Sequence, residues 1–473
     1  MCIRDSKEQE QFEFVRRSAT ADPRKSRIDY TASEQRLLDQ YQTMTAHLGL
    51  LANESQQLSR KATTQGPLNE AERSRQQTLL AELRKSQKQF AAFLSELQRG
   101  LQQSEVNRAA DVANSSAQHL AELRAVLKDL GSRSALVQYF VTDHRIVMLL
   151  TTGTVQVART TVIERRQLDS LARSFHQALT DPTSDPKPLA ETLYRVLFAP
   201  IDGDIEDIGS QTVMLSLDGN LRYIPFGALY DGQHYLVERL QLPVYTALER
   251  DRLRSPPVPR DRAAALGTTR AVSGFSALAG VVTELNSVIK SASGGVFPGE
   301  RYLDQQFNEK RLRAVTQQPF QLLHVASHFA FSPGTEANSF LLLGDGSHLT
   351  LESLRTGGWQ FNHVDLLTLS ACDTALGGGR DRDGREIEGF GDIVQQQGAH
   401  SVLASLWQIS DASTPILMSN LYRQLLNPSI SKAEAIRLAQ VGLLTDGPKS
   451  SDGLPRYRHP YYWAPFILMG NWR

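Results

Sequence analysis

The chain has 473 residues, 41% hydrophobic and 22% charged, which is the balance of a globular protein with two or three folding units and a sizeable core. Lys plus Arg and Asp plus Glu both total 51, so no global basic field exists to hold a phosphate backbone or an anionic lipid surface, and direct nucleic-acid or membrane partners are not expected. The longest apolar runs, such as Ile146 to Leu150, fall far short of the roughly 20 residues of a membrane span. The charged, polar start MCIRDSKEQEQFEF has no apolar signal core, so the expected localisation is cytoplasmic.

Residues 1–32 carry no pattern. From 33 to 130 Gly and Pro nearly vanish except at Gly66-Pro67, and Leu79, Leu83, Phe90, Phe93, Leu94, Leu97 and Leu101 recur at helical spacing. Leu120, Leu123, Val126, Leu127 and Leu130 form a second such run, and Asn69-Glu-Ala-Glu after the Gly-Pro break predicts a new helix start. This region is expected to be a helical hairpin or the remnant of a tetratricopeptide array, although no 34-residue self-similarity is present.

At Gly131 the period changes to two. Ala135–Val141, Arg145–Leu150 and Thr154–Val157 predict strands, Leu168–Leu179 and Pro188–Phe198 predict helices, and Thr212–Leu217 and Leu221–Ile224 predict further strands. Three prolines within Pro256-Pro-Val-Pro259 exclude a regular element and predict a linker, with a boundary near residue 256 that divides 131–256 from 257–473. Beyond it, strands at Ala263–Leu266, Gln321–Ala326, Val364–Leu369, Ser401–Leu406 and Phe466–Met469 alternate with helices at Val281–Ser291, Thr414–Leu426 and Ser431–Leu444. Such alternation predicts an α/β fold with a largely parallel sheet, whose ligands bind at the carboxyl ends of the strands.

Two of those strands end in reactive residues. Leu322-Leu-His-Val-Ala-Ser-His328 delivers a histidine and Leu366-Leu-Thr-Leu-Ser-Ala-Cys372 delivers a thiol, with Gly377-Gly-Gly379 close behind. A thiolate needs a base or an ion-pair partner, and an imidazole on a neighbouring strand supplies one. Cys372 is the sole cysteine in patterned sequence, and two cysteines exclude a disulfide scaffold or a multi-Cys zinc site. Taken singly, each residue is more often structural; their conjunction at two strand ends makes the dyad the sharper hypothesis. Asp381–Glu386 does not follow the order of a calcium loop, the glycines are not followed by Lys and Ser/Thr, and His324, His363 and His400 lack ligand spacing, so no metal, nucleotide or other cofactor is expected. Arg380–Glu386 reads as a solvated loop, an activation loop or a self-cleavage site.

Leu323-His-Val-Ala-Ser-His-Phe, Ser339-Phe-Leu-Leu-Leu-Gly-Asp-Gly, Leu367-Thr-Leu-Ser-Ala-Cys-Asp-Thr-Ala-Leu-Gly, Gly398-Ala-His-Ser-Val-Leu-Ala-Ser-Leu-Trp-Gln-Ile-Ser-Asp and His459-Pro-Tyr-Tyr-Trp-Ala-Pro-Phe-Ile-Leu-Met-Gly resemble, in order, the motifs of the CHAT domain. This is a caspase-like, separase-related peptidase family often found behind tetratricopeptide repeats. The resemblance runs from about Ala135 to Arg473. It implies a caspase-like α/β sandwich with a degenerate first half (131–256) and a catalytic second half (257–473), behind the helical N-terminal region.

It further implies that His328 is the catalytic histidine, Cys372 the nucleophile, and the backbone N–H groups of Cys372 and Phe329 the oxyanion donors. Caspase-like enzymes often carry Gly at the position of Phe329, and the backbone angles open to Phe are narrower. Asp411 stands where separase-like relatives hold a substrate Arg or Lys, and equally where an N-cap for the next helix would be. Ser405, Trp407 and Asp373 are further candidates for substrate contact. The implied function is a cysteine endopeptidase cleaving a protein substrate, gated by a regulatory protein on the helical region, in bacterial defence signalling with a CRISPR effector or a gasdermin-type substrate. A catalytically silent scaffold and acyl transfer to a small molecule remain the alternatives.

Overall fold

The computed structural model describes residues 68–103, 123–131, 133–246, 258–291, 294–330, 339–371, 385–407, 412–449 and 455–473, with single positions at 43, 44, 47, 51, 54, 58, 61 and 253. Two compact units result. In the N-terminal one a long helix spans Glu70–Gln103. It starts where the Gly-Pro break predicts: Asn69 Oδ1 accepts from Glu72 N at 2.9 Å while Glu72 Oε2 accepts from Asn69 N at 3.1 Å, a reciprocal cap on two donors that a helix start otherwise leaves open. Leu79 is fully buried, and Arg75 grips Glu54 through two hydrogen bonds.

The second unit is an α/β sandwich built on strands β1 (Ser134–Val141), β2 (Arg145–Thr151), β3 (Gln156–Val162), β4 (Thr212–Ser216), β5 (Ala263–Gly267), β6 (Gly299–Leu303), β7 (Leu322–Ala326), β8 (Phe329–Ala330), β9 (Phe340–Leu342), β10 (His348–Thr350), β11 (Leu366–Ser370), β12 (Ser401–Ser405) and β13 (Phe466–Gly470). Three ladders result, ordered β3-β2-β1-β4, β10-β9-β8 and β13-β12-β11-β7-β5-β6. In the last, only β13 is antiparallel to its neighbour. The first and last ladders are joined edge to edge by residues 241–245. Val213 N donates to Gln241 O and Tyr245 N to Leu215 O on one side, and Val244 N donates to Leu468 O at 2.8 Å on the other. One main-chain hydrogen-bond network therefore crosses both halves.

Helices cover both faces of the six-stranded ladder. Cross-strand partners share a face, so His324, Thr368, Leu403 and Leu468 point one way and Leu367, Val402 and Met469 the other. On the first face lie the helices Val281–Val288 and Thr414–Leu425, which reach His324 and Thr368 through Glu284 and Tyr422. On the second lies the helix Arg385–Gln396, whose Gly391 abuts Met469. In the first half, Tyr139 Oη on β1 donates to Leu197 O at the end of the helix Lys187–Leu197. No helix among the described residues is long and apolar enough to cross a membrane.

Several elements depart from the expectations. Of Leu221–Ile224, read as a strand, Leu221 to Tyr223 lie in a 3-10 turn over Gly219–Tyr223 that Ile224 caps, because four residues are too few for a period that separates strand from turn. The helix from Val281 ends at Val288, and Ile289 pairs with Phe297. Of the charged segment 380–386, residues 380–384 lie outside the described residues, while Arg385 and Glu386 open a helix rather than continue a loop. The helix Ala199–Ile208, strands β6 and β8–β10, and the helix Glu309–Thr316 have no counterpart in the sequence reading.

At the amino ends of β11 and β12 sits a buried charge cluster. Asp365, 1% exposed, accepts from Lys432 Nζ at 2.6 Å and from Arg260 Nε at 3.0 Å, with His400 Nδ1 at 3.5 Å. Arg260 belongs to the proline-rich segment and also donates to the carbonyls of Ile430 and Arg473. Burial pushes the Asp365 carboxyl up, but His400, Lys432 and Arg260 outweigh it and hold it well below the usual carboxylate range. A folded-state pKa below the unfolded one gives stability that is fully present above about pH 4 and is lost as pH falls toward the folded value. Lys432→Met should therefore cost about 3–5 kcal/mol, since it strips one cation from a buried anion. Urea titrations should show this loss, and the acid-induced fall in midpoint should be smaller in Asp365→Asn than in the wild type; an Asp365→Asn variant with unaltered acid dependence would contradict the linkage.

Candidate active site

β7 and β11 are parallel neighbours, with Ala326 opposite Ser370 and Ser327 N donating to Ser370 O at 3.3 Å. The strand ends proposed to carry the dyad thus lie side by side. His328 stands two residues beyond β7, 3% exposed. Cys372 and Asp373, which follow β11, lie outside the described residues, as does Asp411.

The His328 ring is oriented from the loop after β5. Its Nε2 is 2.9 Å from the Ser276 carbonyl oxygen, and the Phe275 ring packs on it at 5.0 Å between centroids. A carbonyl can only accept, so Nε2 bears a proton, and in the neutral ring the basic nitrogen is then Nδ1. This is the tautomer that a base acting through Nδ1 requires. Phe275, Ala330, Phe340 and Leu342 form an apolar cluster beneath this ring.

Phe329 opens β8, opposite Leu341 on β9. Leu342 N donates to His328 O at 2.9 Å, the pattern in which Phe329 and Leu341 are a pair without mutual hydrogen bonds, so the Phe329 N–H is directed away from β9. Among the described residues only Ser273 and Asp304 are non-glycines with positive φ, so Phe329 needs none of the freedom that a glycine would supply. Its ring meets Phe390 edge to face at 5.5 Å.

Ser405, the last residue of β12, and Trp407 are both 2% exposed. The Trp407 indole N–H donates to Tyr461 O at 3.2 Å, and the ring stands perpendicular to His176 of the helix Arg165–Thr180 at 5.7 Å. The strand end next to β11 is thereby packed against the first half of the sandwich. The sequence reading missed Ser276, because a backbone carbonyl leaves no side-chain signature. It also missed the partners of His324: Glu284 Oε1 lies 3.1 Å from its Nε2 and Tyr422 Oη lies 3.0 Å from its Nδ1. Tyr422 Oη also donates to Thr368 Oγ1 at 3.0 Å, so one phenol joins β7 to β11 beneath the site. The described residues hold no group of three or more potential metal ligands.

The chain belongs to the CHAT domain family, whose model matches residues 187–471, more than half of the sequence. Among solved structures it is similar to the separase–securin complex of Saccharomyces cerevisiae, at 13% identity and a TM-score of 0.36 over 94% of this chain and 27% of that one. A second structure of that complex gives 14% identity, a TM-score of 0.36 and coverages of 91% and 27%. The complex of the pro- and mature domains of RgpB from Porphyromonas gingivalis gives 10% identity and a TM-score of 0.36 over 65% of this chain and 76% of that one. The chain spans about a quarter of the separase chains, and likeness at this level carries no information on chemistry. No curated protein matches it.

Tyr422→Phe leaves His324 and Thr368 without their shared hydroxyl in a buried setting, at an expected cost of about 1–3 kcal/mol. A lowered urea midpoint at unchanged slope would register this; an unchanged midpoint would mean that the phenol contributes nothing to joining the strands.

Proposed function

We propose that the chain is a cysteine endopeptidase in which Cys372 is the nucleophile and His328 the base. The observation that carries this reading is the hydrogen bond from His328 Nε2 to the Ser276 carbonyl, which selects the tautomer whose basic nitrogen is Nδ1. In the proposed reaction Nδ1 takes the Cys372 proton, the thiolate attacks the peptide carbonyl, and the tetrahedral oxyanion is held by the N–H groups of Cys372 and Phe329. The imidazolium then gives its proton to the leaving amine, and water releases the acyl-enzyme with His328 again as base. The direction of the Phe329 N–H supports the donor role, and the absence of a positive φ at Phe329 favours an enzyme over a silent scaffold.

In this reading Asp411 selects an Arg or Lys side chain before the scissile bond, Asp373 contacts the substrate nearby, and Ser405 and Trp407 back the pocket from the end of β12. The substrate is a protein, and a regulatory protein docks on the helical N-terminal region. A role in bacterial defence signalling, with a CRISPR effector or a gasdermin-type substrate, is what the family resemblance implies.

Incubation with an Arg- and Lys-containing peptide library, read by mass spectrometry, tests the proposal. Wild type should cleave after basic residues, Cys372→Ala and His328→Gln should each lose roughly three orders of magnitude or more in rate, and Asp411→Ala should lose the basic preference. Thioester labelling of Cys372 without any peptide cleavage would point to acyl transfer instead, and cleavage that survives Cys372→Ala would end the dyad reading.

A further inference from the structure

We propose that Asp304 is a positioning residue for the His328 imidazole, acting through the loop that presents the Ser276 carbonyl; the inference rests on His328 being the catalytic base. Asp304 follows β6 and has φ of 50°. Among non-glycine residues Asp is one of the few that enter the left-handed region, and it does so where its short side chain finds local hydrogen bonds. Those of the Asp304 carboxylate run to the loop after β5. Oδ1 accepts from Thr269 N at 2.8 Å and Arg270 N at 3.3 Å, and Oδ2 accepts from Thr269 Oγ1 at 2.8 Å.

Thr269 and Arg270 are the root of the loop that carries Phe275 and Ser276. The loop closes on that root through Leu278 N and Thr269 O at 3.2 Å, and Val272 and Phe275 exchange both main-chain bonds at its tip. Ser273, with φ of 51°, fastens the tip by donating from Oγ to Gly346 O at 2.8 Å. The two left-handed non-glycine residues among those described therefore anchor the two ends of one loop, whose carbonyl sets the ring of His328. Asp304 is itself braced from behind. Its carbonyl accepts from Phe307 N at 2.8 Å and lies only 2.3 Å from where a Cβ on residue 344 would sit, so Gly344 is required there.

Anchoring at both root and tip fixes where the loop's carbonyl points, and a base needs such aiming because a displacement of about 1 Å at a reacting group costs up to 100-fold in rate. The carboxylate does the aiming and the left-handed backbone permits it. Asn tolerates the same backbone and keeps one acceptor, whereas Gly adopts it freely and keeps none.

Full-length protein labelled with 15N-histidine, with the His328 signals assigned by their absence in His328→Gln, reports the tautomer directly. Wild type should show the Nε2–H form. Asp304→Ala and Asp304→Gly should shift the ring toward a tautomer mixture, Thr269→Val should do so partially, and Asp304→Asn should retain most of the wild-type signature. In peptide cleavage Asp304→Ala should lower kcat about 10- to 100-fold with KM changed less than about two-fold. If Asp304→Ala does not fold, Asp304→Gly and Thr269→Val decide the matter, and unchanged His328 signals in the folded variants overturn the proposal. A tautomer shift in a protein whose wild type cleaves no peptide would uphold the positioning role and defeat the peptidase reading. Cleavage by wild type with an unshifted tautomer in Asp304→Gly would do the reverse.

Discussion

A carboxylate sealed in a protein interior stays ionised only if cations are brought to it, and Asp365 draws them from distant parts of the chain. Arg260 comes from the proline-rich segment, Lys432 from the start of the helix Lys432–Thr445, and His400 from the residue before β12. The Arg260 guanidinium extends the cluster to the last residue, Arg473. Asp365 immediately precedes β11 and His400 immediately precedes β12, so the cluster ties together the starts of the two strands. The proposed chemistry lies at the opposite, carboxyl ends of these strands.

The second constraint is the main chain at residues 241–245. Strand edges carry unpaired N–H and C=O groups, and here the edge of β4 and the edge of β13 are both satisfied by the same short segment. The half that carries none of the proposed catalytic residues is thereby part of the same hydrogen-bonded network as the half that does. His176 packing on Trp407 carries that continuity to the end of β12. The first half thus buttresses the sheet edge next to the site.

At the site, the chemistry depends on groups of low conspicuousness. The orientation of His328 is set by a carbonyl oxygen, a phenylalanine face and, behind them, an aspartate whose carboxylate caps the root of the loop. Beneath the sheet, Tyr422 ties His324 on β7 to Thr368 on β11, so the two strands that present the proposed dyad are joined by side chains as well as by their ladder. Membership of the CHAT domain family agrees with this architecture.

Much of the fold was legible from residue patterns. β7, β11, β12 and β13 read correctly because each is a short stretch in which apolar residues predominate, too brief for a helix, and the helix at Glu70 because Asn69 and Glu72 spell its cap. β6 was missed because Gly-Glu-Arg-Tyr-Leu is a half-exposed edge strand without alternation, and β8 and β10 because two or three residues carry no period. Arg260 read as linker because its carboxylate partner is remote in sequence. Sequence alone determined the α/β class and the placing of His328 and Cys372 after apolar runs, since periodicity and local residue chemistry are written along the chain. Only the tertiary structure decided that β7 and β11 are neighbours, that Ser276 offers its carbonyl to His328, and that Asp304 holds the loop which does so. Those are contacts between backbone groups and residues far apart in the chain, and nothing local encodes them.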